Sequence, residues 1–122
     1  MKQFLFAALL LVCGIAVAQV SSVSKAFTSA GSVVDVSAGQ YKFPITVSVY
    51  PTSGDTAKVE YSTTNGAAVN PGAANWTVSA TLSAVTFGST TKRETLPSAV
   101  TAIRFTTTTG AGTDTAELAW GY

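Results

Sequence analysis

The chain has 122 residues, of which 11% are charged, against about 25% in an average protein, and none is histidine. A formal net charge of +1 gives no field to steer nucleic acid or a strongly acidic partner. The length suits one domain, and its 19 Thr and 13 Ser, beside few Leu, Glu and Lys after residue 20, make a composition of strands and turns.

Residues 1–18 form an apolar segment. Lys2 gives a basic start, Phe4 to Val17 is an almost unbroken apolar run, and Ala16-Val17-Ala18 offers small residues where a signal peptidase reads. The run is short for a transmembrane helix, which needs about 20 residues. Two outcomes stay open. Cleavage after Ala18 removes Lys2 and leaves six basic and six acidic side chains. Retention requires that the segment be buried in a membrane or an assembly, because such a run is a liability in water. Cys13 is the single cysteine, so the rest of the chain has no disulfide available.

Residues 19–31 are a polar lead-in, either a linker or a first edge strand. Residues 32–122 are expected to form the domain proper. Ser32–Ser37 reads as a short strand. From Phe43 the pattern alternates: Phe43, Ile45, Val47 and Val49 point one way, and Pro44, Thr46, Ser48 and Tyr50 the other. That period of two marks a strand with one buried face. Pro44 cannot donate to a ladder, which predicts an edge or a bulge there. Ala57–Ser62 alternates as well and is expected to pair with Ile45–Tyr50 as a hairpin across the Pro51–Asp55 turn.

Asn65-Gly66 and Pro71-Gly72 are turn dipeptides within a long surface loop. A strand follows at Asn75–Ser79, with Trp76 and Val78 on one face. Thr81–Gly88 is a further short strand or a loop. Thr90–Thr95 holds Lys92, Arg93 and Glu94, and reads as a solvated strand or turn because an acid beside two bases leaves a small field. Ala99–Thr106 and Thr113–Tyr122 are two strong strands, expected to close the chain as a C-terminal hairpin around Gly110-Ala111-Gly112. The expected fold is all-β: a single antiparallel β-sandwich of Ig-like architecture without a disulfide, preceded by the apolar N-terminal segment.

Catalytic chemistry finds little support. Without histidine, a nucleophile would need Lys or a carboxylate as its base. Asp35, Asp55, Glu60, Glu94, Asp114 and Glu117 fall in no motif and read as solvated charges. Zinc lacks its Cys and His ligands, and no calcium loop or phosphate cradle stands out. We expect no catalytic residues, cofactor or metal. Asn75-Trp76-Thr77 matches a glycosylation pattern too short to carry weight.

Phe43, Tyr61, Trp76, Phe87, Phe105 and Trp120 suit either a sugar-stacking platform or a core, and their phase on the strands favours the core. Tyr41, Tyr50 and Tyr122 are out of phase or terminal, and are the candidates for an exposed contact surface.

From Val36 onward the chain resembles small β-sandwich accessory proteins of tailed bacteriophage particles, the head-decoration, head-fibre and neck or tail proteins. The residues that carry the likeness are Val36–Gly39 leading into Thr46–Gly54, then Ala57–Ser62, the Asn75-Trp76 strand, Leu96–Phe105 and the final Gly-flanked strand. The likeness is one of pattern. It implies a non-enzymatic structural virion protein that binds copies of itself and other virion proteins. An exported bacterial β-sandwich, periplasmic or at the cell surface, acting as an adhesion or surface-layer module with glycans as candidate ligands, is the alternative reading. There the membrane is met only through the N-terminal segment during export.

Overall fold

A computed structural model describes residues 19–121. The segment 1–18 and Tyr122 lie outside the described residues.

Among the described residues, nine strands form two antiparallel sheets packed face to face as a β-sandwich: β1 (Val20–Phe27), β2 (Ser32–Asp35), β3 (Ile45–Tyr50), β4 (Thr56–Ser62), β5 (Thr77–Val78), β6 (Val85–Thr86), β7 (Arg93–Leu96), β8 (Ala102–Thr109) and β9 (Asp114–Gly121). The first sheet has the order β1-β9-β3-β7. The second has the order β2-β8-β4-β5, with β6 also beside β4. The lead-in is an edge strand. Val20–Phe27 pairs with β9 along its whole length, from Val20 opposite Gly121 to Phe27 opposite Asp114.

The alternation seen in the sequence selects the core. Ile45, Val47 and Val49 of β3, Ala57 and Val59 of β4, Ile103 and Phe105 of β8, and Ala116, Leu118 and Trp120 of β9 are all buried between the sheets. Each large aliphatic or aromatic side chain moved out of water there contributes about 1.5–3 kcal/mol.

Both expected hairpins are overturned. β3 pairs with β9 and β7, whereas β4 lies in the other sheet and pairs with β8, β5 and β6. Likewise β8 joins β2 and β4, while β9 joins β1 and β3. The Pro51–Asp55 and Gly110–Gly112 turns carry the chain from one sheet to the other. Two alternating strands can bury their apolar faces against each other across a sandwich as well as side by side in one sheet, and here they do the former. Pro44 also falls elsewhere than expected. The Phe43–Pro44 peptide is cis, and Pro44 precedes β3, which runs unbroken between two neighbours.

The long loop after β4 is no simple surface excursion. Glu60 and Ser62 alternate with the core residues of β4, so they face away from the other sheet, as does Ala102, the partner of Ser62. All three are nonetheless buried, as is Ala67 within the loop. The loop folds back on them: the Thr101 hydroxyl donates to the Thr64 carbonyl at 2.6 Å, the indole Nε1 of Trp76 donates to the Pro71 carbonyl at 2.9 Å, and the Trp76 ring lies 4.4 Å from the Arg104 guanidinium. Trp76 therefore caps the outer face of the second sheet and does not enter the inter-sheet core. Phe87 and Val78 are also outside the core, 64% and 46% exposed. Strands of two residues are too short for their phase to be read from sequence.

Candidate contact surface

The three tyrosines expected to form a contact surface do not come together. Tyr50 ends β3 and is exposed. Tyr41 is half-buried and packs on Trp120, with ring centroids 4.8 Å apart. Trp120 lies opposite Ile45 at the other end of β3, so about 17 Å of strand separates the two positions. Tyr122 lies outside the described residues.

Tyr50 instead lines a hollow of about 330 Å³ with Ser48, Thr90, Lys92 and Arg93. The register explains the grouping. Ser48 and Tyr50 share the outward face of β3, and Arg93 of β7 sits directly opposite Ser48. The backbone N–H of Val49 donates to the Lys92 carbonyl at 2.9 Å, which holds the approach to β7 against β3. Across β3 on its other side, Glu117 of β9 also stands opposite Ser48.

The charge cluster around Arg93 is split by its own strand. Glu94 follows Arg93 and so projects to the opposite face of β7. There it accepts hydrogen bonds at 2.5 Å from the Tyr61 hydroxyl and at 2.5 Å from the Ser79 hydroxyl. This joins β7 of the first sheet to β4 of the second. Burial, and then the Glu94 carboxylate beside it, push the Tyr61 phenol well above its usual range. The acid expected to cancel this charge is thus turned away from Arg93. Among the described residues, neither cation forms an ion pair.

The reading of the carboxylates as solvated is also corrected. Asp55, Glu60 and Asp114 are buried. Asp114 has no exposure, and Thr107 Oγ1 donates to its Oδ2 at 2.7 Å. The Thr52 N–H donates to its Oδ1 at 2.8 Å. The Thr52 hydroxyl lies 2.9 Å from Asp55 Oδ2 and 3.2 Å from Asp114 Oδ1. A carboxylate so enclosed by threonine donors is a structural tie rather than a group presented to a substrate. Glu60 accepts from Arg104 Nε at 2.8 Å and lies 3.4 Å from Lys58 Nζ. The Arg104 hydrogen bond, acting against burial, holds its carboxyl below the usual range. Asp35 is also held below the usual range, by the Ser37 hydroxyl at 2.6 Å and the Ser37 N–H at 2.9 Å.

Among the described residues, no group of three or more His, Cys, Asp or Glu could hold a metal, and no helix is long and apolar enough to cross a membrane. No family model, curated protein or solved structure matches the chain.

Proposed function

We propose that the protein is a non-enzymatic structural subunit of a bacteriophage particle, reinforcing or decorating it through contacts with its own copies and neighbouring subunits. The observation that carries this reading is the margin of the second sheet outside β4. There two strands of only two residues each leave Val78 and Phe87 exposed, and Val69 is 86% exposed in the loop after β4. A short, imperfectly covered edge with apolar side chains is a surface that gains by meeting another copy. The low charge of the chain favours the same use, as does the resemblance of its strands to phage accessory proteins. The buried carboxylates support a structural role too, since they act as ties within and between the sheets.

Export is the second reading, favoured by the sequence Met1–Ala18. Cleavage after Ala18 would leave the whole of β1 in the mature chain. The intact mass of the protein from its native source separates the two. A mass that retains residues 1–18, found in purified particles, supports the virion subunit. A mass starting at Gln19 overturns it in favour of an exported surface module.

A further inference from the structure

We propose that the hollow formed by Ser48, Tyr50, Thr90, Lys92 and Arg93 binds an acidic sugar, a saccharide unit bearing a carboxylate. Two basic residues line one concavity, and the acid that follows them in sequence, Glu94, is committed to Tyr61 and Ser79. Ser48 is only 6% exposed, yet its hydroxyl has no hydrogen-bond partner among the described residues while it lines the hollow. The Ser48 hydroxyl is thus open to the hollow and free to donate to a ligand there.

The planar guanidinium of Arg93 matches a carboxylate with two parallel hydrogen bonds, and Lys92 adds a mobile charge. The remaining lining suits a sugar ring rather than a bare ion. Tyr50, which is exposed, adds an aromatic side chain to the lining, and Thr90 is a hydroxyl-bearing residue beside it. The volume, about 330 Å³, lies at the small end of ligand sites, which span roughly 300–1,000 Å³, so one or two rings fit and a long segment does not. Glu117, opposite Ser48 on the far side of β3, sets a limit on that side. A ligand acidic at both ends would be repelled there, which favours a single carboxylate with neutral hydroxyls beyond it.

The test is titration of the full chain with galacturonic acid, galactose and sodium sulfate, read by calorimetry and by amide shifts of Ser48 and Arg93. Galacturonic acid is expected to bind and galactose to fail. Arg93→Ala should weaken binding by about tenfold, the loss of a charge-assisted hydrogen-bond pair. Tyr50→Ala should weaken it by a smaller factor, and Lys25→Ala, on the distant edge strand, should leave it unchanged. Sulfate binding as tightly as galacturonic acid would reduce the site to a simple anion hole and overturn the sugar. Galacturonic acid binding that survives Arg93→Ala, or no binding at all to the folded wild type, would overturn the site.

Discussion

The Thr107 hydroxyl donates to Asp114 Oδ2 at 2.7 Å, and this buried bond ties the end of β8 in one sheet to the start of β9 in the other. Asp114 stands at the inward phase of β9, where Ala116, Leu118 and Trp120 fill the core. The strand thus starts with a charge inside the sandwich, stabilised by donors from Thr107 and Thr52. Removing the carboxylate would strand the buried Thr107 hydroxyl and take the acceptor from the Thr52 N–H, while the Thr52 hydroxyl keeps Asp55. Asp114→Ala is therefore expected to cost about 3 kcal/mol or more in urea unfolding, since each unsatisfied buried group costs roughly 1–3 kcal/mol. Thr115→Ala, on the outward face of the same strand, should stay within about 0.5 kcal/mol.

Tyr61 and Glu94 make the fold sensitive to alkali. The phenol is raised in the folded protein above its ordinary value of 10.0. Between the unfolded and folded values the native state holds the extra proton. The stabilisation is complete below pH 10 and is lost as pH rises beyond it. The urea midpoint should fall above pH 10 more steeply in the wild type than in Tyr61→Phe. In absorbance at 295 nm, the Tyr61 phenolate should appear only with unfolding. Ionisation of all tyrosines in the folded state would refute this.

Glu60 produces the opposite dependence at the acid end. Its carboxyl is lowered in the folded state from 4.5, so its contribution is present above that pH and disappears as pH falls through the folded value. Glu60→Gln should be less stable than wild type at neutral pH, and the gap should close on acidification. A gap that stays constant from pH 7 to pH 3 would mean that Arg104 is held by Trp76 alone.

Much of this fold was written in the period of two. Ile45, Val47, Val49, Ile103, Phe105, Leu118 and Trp120 are buried as their alternation predicts. Which strand lies beside which was not, because alternation marks the buried face of a strand and is silent on its lateral neighbour. The chain exploits that freedom by changing sheets at the Pro51–Asp55 and Gly110–Gly112 turns. The buried Asp114 did leave a signal, since the parity that selects Leu118 selects it too. The hollow at Ser48 was hidden for a related reason. Glu94 looks like a neutralising neighbour in sequence, yet adjacent residues on a strand face opposite ways. Trp76 and Phe87 misled because they flank strands of only two residues, too short to have a phase.

The glycines at the sheet crossing separate strain from collision. Gly110 has φ of +97°, and a Cβ there would lie 1.8 Å from Asp55 Oδ1 and 3.1 Å from its Cα. Gly54 has φ of +90° with nothing within 4 Å, and Gly72 has neither constraint. Gly110→Ala is expected to cost about 2–4 kcal/mol from both effects. Gly54→Ala should cost about 1–2 kcal/mol from backbone strain alone. Gly72→Ala should be neutral or gain up to about 1 kcal/mol, through the entropy of the unfolded chain. Equal losses at Gly110 and Gly54 would mean that the Asp55 side chain moves aside freely and is no fixed part of the crossing.

Phe87 and Val78 test the assembly reading directly, because neither is needed by the core. Phe87 is 64% exposed and follows β6, whose Thr86 lies opposite Thr56; Val78 lies opposite Glu60. The two side chains thus mark separate points along the same margin of β4, about 14 Å or more apart along the strand. A neighbour that covers both must lie along the edge rather than touch it at one point. Such a contact excludes water from both side chains, and each is worth roughly 1–3 kcal/mol once enclosed. The double substitution Phe87→Ser, Val78→Ser should therefore shift sedimentation of the full chain from oligomer toward monomer while leaving the urea midpoint nearly unchanged. A wild-type chain that sediments as a monomer at all accessible concentrations would remove this margin as a contact between copies. A large fall in the midpoint would instead assign both residues to the stability of the single fold.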